Sequence, residues 1–117
     1  MGIQAIDHLY IETRSFDQGV AFWLELGFQL VERWGTDGHH AGRLRAGDAE
    51  IVLAESDTPV VTVHFRSVDT AGVATRVGAS EIVRVRDPLA QTHWGAQLMR
   101  VEDADGHVFA LEEAPAR

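Results

Sequence analysis

The chain contains an internal repeat, which limits the folds available to it more than any other feature. Residues 8–17 (HLYIETRSFD) align with residues 60–69 (VVTVHFRSVD) at an offset of 52 residues. The motif Arg-Ser-x-Asp recurs, and the alternation of apolar residues keeps the same phase in both copies. Self-similarity at a fixed spacing indicates that one structural unit is used twice. We therefore expect two related units.

Each copy of the repeat predicts the same order of secondary structure. The first strand alternates over residues 4–13, and Ser15 with Gln18 forms a capping box that marks the start of a helix. Gly27 ends the first helix and Gly78 the second, and Gly27 occupies the position where a left-handed residue is typical. The apolar stripe of the first helix contains Phe16, Val20, Trp23 and Leu24.

Three strand-like runs follow each helix. In the first copy they lie at 28–34, about 40–46 and 49–54. The second copy predicts a strand at 60–66, a helix at about 69–77, and strands near 81–86, 95–102 and 107–112. The sequence therefore predicts an α+β fold, a single domain over residues 1–117 made of two βαβββ units at about 3–56 and 59–114.

Composition excludes several classes of function. The chain has 117 residues, of which 45% are apolar, as expected for one globular domain. No apolar run is long enough to span a membrane, and the N-terminus lacks an export signal, so we expect a cytoplasmic protein. Cysteine is absent, which excludes disulfides and thiolate metal sites. The net charge of −8 argues against binding to nucleic acid.

The segment VEDADGHVFALEE (residues 101–113) raises the question of a calcium site. A calcium loop needs oxygen ligands at its first, third and fifth positions, then a glycine and a final glutamate. Counting from Val101, the acidic and glycine positions fit, but valine offers no side-chain oxygen. Both flanks are short apolar runs rather than helices. Because acid-x-acid-Gly is typical of a tight turn, the sequence predicts a hairpin instead.

The doubled pattern resembles the vicinal oxygen chelate superfamily, which includes glyoxalase I, extradiol dioxygenases, fosfomycin-resistance proteins and bleomycin-resistance proteins. The segments that carry the resemblance are IDHLYIE, FWLELGF, HWGAQLMRV and DADGHVFALEE, and together they cover nearly the whole chain. The last is similar to the family's Asp-Pro-Asp-Gly-Asn hairpin, with Ala104 and His107 at the differing positions. The resemblance implies a U-shaped cleft between curved sheets, and a homodimer.

Enzymes of this superfamily usually hold one divalent ion with His, Gln or Glu side chains from the first and last strands of each unit. The resemblance assigns His8 to the first ligand position. It places the other three positions at Val60, Val52 and Ala110, whose side chains cannot bind a metal. One imidazole does not complete a coordination shell. We therefore expect no metal and no other cofactor.

The alternative is a metal site built from Glu12, His64 and Glu112, displaced by one pleat along the strands from the usual one. His64 aligns with Glu12 through the repeat, and Glu112 lies on the last strand. Imidazole and carboxylate ligands suit iron, manganese or zinc. The competing interpretation is that these polar residues form hydrogen bonds within the cleft.

Other polar residues have structural explanations, and we assign no catalytic residue. Ser15 and Ser67 are interpreted as helix caps, since neither lies in a nucleophile elbow. The pair Asp87-Pro88 is typical of a turn. The pair His39-His40 follows a glycine in a predicted loop and is interpreted as solvated.

Aromatic and acidic residues indicate what the cleft would hold. Trp34 precedes the loop GTDGHH, and Trp94 precedes Gly95 after a polar stretch. Tryptophan beside polar loops often lines a ligand site, although both rings could instead cover the ends of the sheet. Aromatic walls with an acidic floor suit a planar or cationic natural product. The predicted ligand-binding residues are His8, Tyr10, Glu12, Trp34, His64 and Trp94.

Three functions remain open at this stage. The first is a metal-free binding protein, similar to the bleomycin-resistance branch, that sequesters an antibiotic or another aromatic small molecule. The second is a metal-dependent lyase, isomerase or dioxygenase that uses the displaced site. The third is a structural or regulatory module with a vestigial cleft. The aliphatic residues at the mapped ligand positions favour the first function over the second.

Overall fold

The computed structural model describes residues 2–115 of the chain. Within this range each helix is preceded by one strand and followed by three, so the predicted α+β class with two βαβββ series is confirmed. Neither helix in these residues is long and apolar enough to cross a membrane. The elements are β1 Gly2–Thr13, α1 Phe16–Glu25, β2 Gln29–Trp34, β3 Ala41–Ala46, β4 Ala49–Glu55, β5 Val61–Val68, α2 Thr70–Gly78, β6 Arg84–Gln91, β7 Gln97–Glu102 and β8 Val108–Glu113.

Residues 8–62 form one compact unit, called the N-terminal unit below. Its strands lie in the order β2-β3-β4-β1. β1 and β4 are parallel, whereas β3 is antiparallel to both β2 and β4. Ile51 lies beside Leu9 on one side and Leu44 on the other, so apolar residues of neighbouring strands share one face. α1 packs against that face.

The core of the N-terminal unit consists of four residues that are each at most 2% exposed: Phe16, Leu44, Ile51 and Leu53. Burying a side chain of this size contributes roughly 1.5–3 kcal/mol. Val20 and Trp23 of the predicted helical stripe also pack against this core. Leu24 does not, because it is 47% exposed. Its inclusion in the stripe was wrong, since it lies about 100° around the helix from Trp23.

Residues 63–115 and residues 2–7 form the second compact unit, called the C-terminal unit. Its strands lie in the order β5-β8-β7-β6, with β5 and β8 parallel and the other pairs antiparallel. Val73 of α2 packs with Met99 and Leu111 in its core. Met99 and Leu111 are partners in register. α2 therefore covers the face that carries the odd-numbered residues of β7 and β8.

The start and end of α1 follow the sequence prediction with one difference. The amide of Gln18 donates to Ser15 Oγ at 3.3 Å, which confirms the cap. The amide of Ser15 donates to Thr13 Oγ1 at 3.3 Å, rather than to the Gln18 side chain that the capping box predicted. Gly27 has a φ of 102°, so the predicted left-handed ending is confirmed.

The start of α2 differs from the prediction. Asp69 precedes the helix in a left-handed conformation, with φ of 51°, and its side chain makes no capping hydrogen bond. Ser67 is 1% exposed, and its hydroxyl bonds the hydroxyl of Thr70 at 2.9 Å. Its predicted role as a helix cap is therefore wrong. The carboxylate of Glu113 accepts the first helical amide instead, from Thr70 at 2.8 Å.

Of the two turns predicted in the second half of the C-terminal unit, the structure contradicts one and confirms the other. The pair Asp87-Pro88 lies inside β6 rather than in a turn. The register between β6 and β7 is irregular at this point. Proline lacks an amide donor and is tolerated in such an irregular strand at the end of a sheet. Gly106, with φ of 86°, donates to the Asp103 carbonyl at 3.1 Å between β7 and β8. The predicted hairpin is confirmed there.

Candidate functional site

Several polar side chains of the C-terminal unit lie on the side of its sheet away from α2. In register, His64 lies beside Ala110 and Arg66 beside Glu112. Because neighbouring residues in register point to the same side, these residues share one surface with two residues of β7. This surface, called the C-terminal polar face, consists of His64, Arg66, Leu98, Arg100, Ala110 and Glu112.

A histidine–carboxylate pair lies on this face. His64 Nδ1 and Glu112 Oε1 are 3.2 Å apart. His64 is 6% exposed, so its imidazole is enclosed by protein. A carboxylate accepts hydrogen bonds, and the contact therefore places the donor hydrogen on His64 Nδ1. The pair fixes the orientation of the Glu112 carboxylate.

The second oxygen of Glu112 binds a tryptophan. Trp94 Nε1 donates to Glu112 Oε2 at 3.2 Å. Trp94 nevertheless remains 54% exposed, and His93 touches it edge-on, with ring centroids 4.8 Å apart. Gly95 follows with φ of 90°, as the tight connection between β6 and β7 requires. An indole ring is thus held by its nitrogen while much of its surface faces solvent.

The N-terminal unit has its own polar face, on the side opposite α1. Glu12 lies beside Ala54, Ala54 beside Ala41, and Ala41 beside Trp34, so one row crosses the sheet from β1 to β2. Tyr10 lies on the same face, beside Val52. Two strands separate β1 from β2, so the structure places Glu12 and Trp34 on one face without bringing them together.

Trp34 and Glu12 have partners within the N-terminal unit. The guanidinium carbon of Arg43 lies 6.0 Å from the centroid of the Trp34 ring, which is 40% exposed. The amide of Val60 donates to Glu12 Oε1 at 3.3 Å. Glu12 therefore helps to hold the segment that leads into β5. His8 lies on β1 in the same unit and is partly buried.

Of the four metal positions assigned by the family resemblance, the first carries His8 and the other three carry aliphatic side chains. Ala110 is fully buried beside His64, and Val52 is 7% exposed beside Tyr10. Neither side chain has an atom that could bind an ion. Two of the three residues predicted for a displaced site, His64 and Glu112, lie together in the C-terminal unit. At Val52 and Ala110 the usual ligand set of the superfamily is therefore incomplete.

The β7–β8 hairpin contains a cluster of two aspartates and a histidine. Ligand atoms of Asp103, Asp105 and His107 lie within 4.8 Å of one another, and all three residues are exposed. The imidazole and amide of His107 donate to Asp103 at 2.9 Å each, and these bonds hold the pKa of Asp103 below its ordinary value. The cluster is explained by the turn itself.

Sequence reasoning missed the role of one carboxylate in each unit. Glu113 Oε1 accepts from the Thr70 amide at 2.8 Å and from the Thr70 hydroxyl at 2.7 Å, which lowers the pKa of Glu113. Glu55 accepts from the amides of His40 and Phe16, and these bonds lower its pKa. Both carboxylates end the last strand of a unit, and this shared position was the available signal.

Glu55 also changes the interpretation of the pair His39-His40. His39 is exposed, as predicted. His40 is partly buried, its ring centroid lies 6.1 Å from that of Phe16, and its Nε2 lies 3.4 Å from Asp37. The prediction that both residues are solvated was therefore wrong for His40. Tertiary contacts to Phe16 and Glu55 hold it in place.

The sequence profile of the Glyoxalase/Bleomycin resistance protein/Dioxygenase superfamily matches residues 5–111. The chain belongs to this superfamily. The match confirms the resemblance drawn from the repeat and its motifs. No curated protein matches the chain at a significant level of sequence similarity.

Several solved structures share the fold of this chain. Methylmalonyl-CoA epimerase from Mycobacterium tuberculosis matches with a TM-score of 0.72 and 18% identity, over 98% of this chain and 90% of that one. A superfamily member from Vibrio splendidus 12B01 matches with a TM-score of 0.77 and 14% identity, over 96% and 99%. A hypothetical protein from Bacillus halodurans C-125 gives 0.77 and 16%, over 96% and 95%. At these identities the likeness extends to the fold and not to an activity.

Proposed function

We propose that this chain is a metal-free binding protein that sequesters a planar aromatic small molecule, as its resemblance to bleomycin-resistance proteins suggests. One observation carries the proposal. The Trp94 ring is 54% exposed, yet its nitrogen is held by Glu112 at 3.2 Å. A large apolar surface that is exposed but fixed in orientation is suited to stacking against a ligand.

Fixing the indole before binding raises the affinity for a ligand. A mobile side chain loses roughly 0.5–1.5 kcal/mol of conformational freedom when a ligand immobilises it. The chain of contacts from buried His64 through Glu112 to Trp94 reduces this cost, because the ring is already restrained. A stacked pair of aromatic rings then adds roughly 0.5–1.5 kcal/mol beyond the area that it buries.

The residues at the mapped metal positions support a metal-free site. Ala110 and Val52 offer no donor atom, and both oxygens of Glu112 accept hydrogen bonds from protein groups. The carboxylate therefore has partners that orient it without an ion. Its role in the proposed site is to hold Trp94.

Titration of aromatic compounds against the intrinsic tryptophan fluorescence tests the proposal. The panel would include bleomycin-type glycopeptides and other planar natural products, with calorimetry to confirm each binding constant. The chain has three tryptophans, so the Trp94→Phe variant identifies how much of the signal comes from that position. Trp34→Ala serves as the matched control in the N-terminal unit. If no compound binds below the millimolar range, the structural or regulatory alternative replaces this proposal.

Metal-dependent catalysis is the second candidate, and the closeness of His64 and Glu112 favours it. In that case the chain would be a glyoxalase-like or dioxygenase-like lyase or isomerase, and methylmalonyl-CoA would be a rational first substrate because epimerases share the fold. Calorimetric titration with zinc, manganese, iron(II) and nickel tests this candidate. Stoichiometric binding that disappears in both His64→Ala and Glu112→Gln would support it.

A further inference from the structure

The Arg-Ser-x-Asp repeat contains one residue type that the fold does not explain. Ser15 caps α1, Ser67 bonds Thr70, and Asp69 provides the left-handed residue before α2. These roles are structural. The arginines of the two copies, Arg14 and Arg66, are both exposed.

Arg66 differs from the other arginines of the C-terminal polar face and its neighbouring strand. Arg100 pairs with Asp87 at 3.1 Å, and Arg86 pairs with Glu102 at 2.9 Å. Across residues 2–115, no carboxylate oxygen lies within 4.0 Å of the Arg66 guanidinium. Arg66 is therefore a cation on this face whose charge is available to a ligand.

The register places Arg66 close to the proposed aromatic site. Arg66 lies beside Glu112, and Glu112 binds Trp94. Arg66 is on β5 and Trp94 begins the turn into β7, so β8 with Glu112 lies between them. Two strand spacings amount to about 10 Å, a distance that a bicyclic aromatic ring with one charged substituent can bridge.

We propose that Arg66 binds an anionic group of the ligand, so that the site selects planar aromatic carboxylates. This inference rests on the proposed function and names the class of ligand. The planar guanidinium presents paired N–H donors that match a carboxylate, and charge-assisted hydrogen bonds of this kind are stronger than neutral ones.

This class of ligand is planar, as the sequence predicted, but it differs from the cationic ligand that the sequence also allowed. The expectation of a cation rested on Glu12 as the acidic floor of the cleft. Glu12 belongs to the N-terminal unit, where its carboxylate accepts the amide of Val60. On the C-terminal polar face, the exposed guanidinium of Arg66 supplies a positive charge.

Three naphthalene probes of matched size test the inference: 2-naphthoate, 2-naphthalenemethanol and 2-naphthylmethylammonium. Binding to the full chain is measured by calorimetry and tryptophan fluorescence at low and high salt. We expect 2-naphthoate to bind best, and Arg66→Gln to weaken it about tenfold while leaving 2-naphthalenemethanol unchanged. Arg14→Gln is the matched control, because it removes the same charge from the equivalent repeat position in the N-terminal unit. We expect it to leave all three affinities unchanged.

The outcomes separate this inference from the proposed function. The neutral probe could bind in a way that depends on Trp94, while 2-naphthoate binds no better and Arg66→Gln has no effect. This result would overturn the inference and keep the proposed function. A preference for the ammonium probe overturns the inference as well. If Arg66→Gln and Arg14→Gln weaken the binding of 2-naphthoate equally, the effect is explained by net charge. This result also overturns the inference. Failure of every probe to bind overturns the inference, whereas the proposed function fails only if the panel of natural products does not bind either.

Discussion

Glu113 accepts hydrogen bonds from both the backbone amide and the hydroxyl of Thr70, at 2.8 and 2.7 Å. Glu55 has the corresponding role in the N-terminal unit, where it accepts the amide of Phe16 at 3.2 Å. Each unit therefore uses a carboxylate at the end of its last strand to bind the first amide of its helix. Such amides have no partner within the helix, and the positive end of the helix dipole favours a negative charge there.

We expect Glu113→Gln to lower the stability of the chain at neutral pH. The amide and then the hydroxyl of Thr70 hold the pKa of Glu113 below its ordinary value of 4.5. A depressed pKa in the folded state means that the ionised carboxylate stabilises the fold above pH 4.5, and that this stabilisation is lost as the pH falls through the folded-state pKa. Urea unfolding of both proteins should show a midpoint difference at pH 7 that narrows in acid.

Two variants control this experiment. Glu81→Gln removes an exposed carboxylate in the same unit and should leave the pH dependence unchanged. Glu55→Gln should behave like Glu113→Gln, because hydrogen bonds from the amides of His40 and Phe16 also lower the pKa of Glu55. A difference between Glu113→Gln and wild type that stays constant down to pH 3 would contradict the role assigned to the charge.

We expect Gly42→Ala to destabilise the N-terminal unit, whereas Gly78→Ala should be tolerated. A Cβ atom at Gly42 would lie 2.7 Å from the Glu32 carbonyl oxygen and 3.0 Å from the Phe16 ring. Overpacking of this kind costs roughly 1–3 kcal/mol. At Gly78, in the last turn of α2, a Cβ atom meets nothing within 4 Å, and alanine favours a helix. Thermal unfolding of the two variants checks both expectations. They would be contradicted if Gly78→Ala lowered the unfolding temperature more than Gly42→Ala.

We expect Trp94→Ala to weaken the binding of a planar aromatic ligand about tenfold, since 1.4 kcal/mol corresponds to a factor of ten. Trp94→Phe keeps an aromatic ring but removes the N–H that Glu112 holds. Its affinity for the ligand should therefore lie between those of the wild type and Trp94→Ala. Glu112→Gln should have a similar intermediate effect, because it weakens the bond that restrains the ring. Calorimetric titration measures the ligand affinity of all three variants. A ligand whose affinity is the same in the wild type and in all three variants would contradict the proposed site.

We expect the protein to purify without a stoichiometric divalent metal. The reason is the aliphatic side chains at Val52, Val60 and Ala110, the ligand positions that the family resemblance assigns. Elemental analysis of protein prepared without a chelator or an affinity tag provides the measurement. Close to one equivalent of iron, manganese, zinc or nickel that is lost in His64→Ala would favour the enzymatic candidate. The same analysis of His8→Ala tests the first ligand position that the resemblance assigns.

We expect a homodimer, because the family resemblance implies one. Sedimentation equilibrium at micromolar concentration should report about twice the chain mass of 12.9 kDa. A monomeric mass over the whole concentration range would contradict this expectation. It would leave the proposed Trp94 site in place, since that site is formed by residues of the C-terminal unit of one chain.

The sequence determined the order and type of the secondary structure. The 52-residue repeat, the alternating strands and the glycine endings are local patterns, and neighbours in the chain enforce them. The confirmed elements include α1 with its Ser15 cap and Gly27 ending, and the hairpin at Asp103. Wrong predictions arose where partners distant in the chain decide the outcome. Asp87-Pro88 joins a strand because β7 pairs with it, and α2 is capped by Glu113 because β8 brings that carboxylate to its start.

The candidate site shows the same division. The sequence identified His64 through the repeat, Glu112 through its closeness to a ligand position of the family, and Trp94 as a tryptophan beside a polar loop. Their connection through one carboxylate depends on the parallel pairing of β5 with β8 and on the turn between β6 and β7. The sequence separates His64 from Glu112 by 48 positions. The register of these strands depends on how their apolar face packs against α2, so the tertiary structure decides which polar side chains meet.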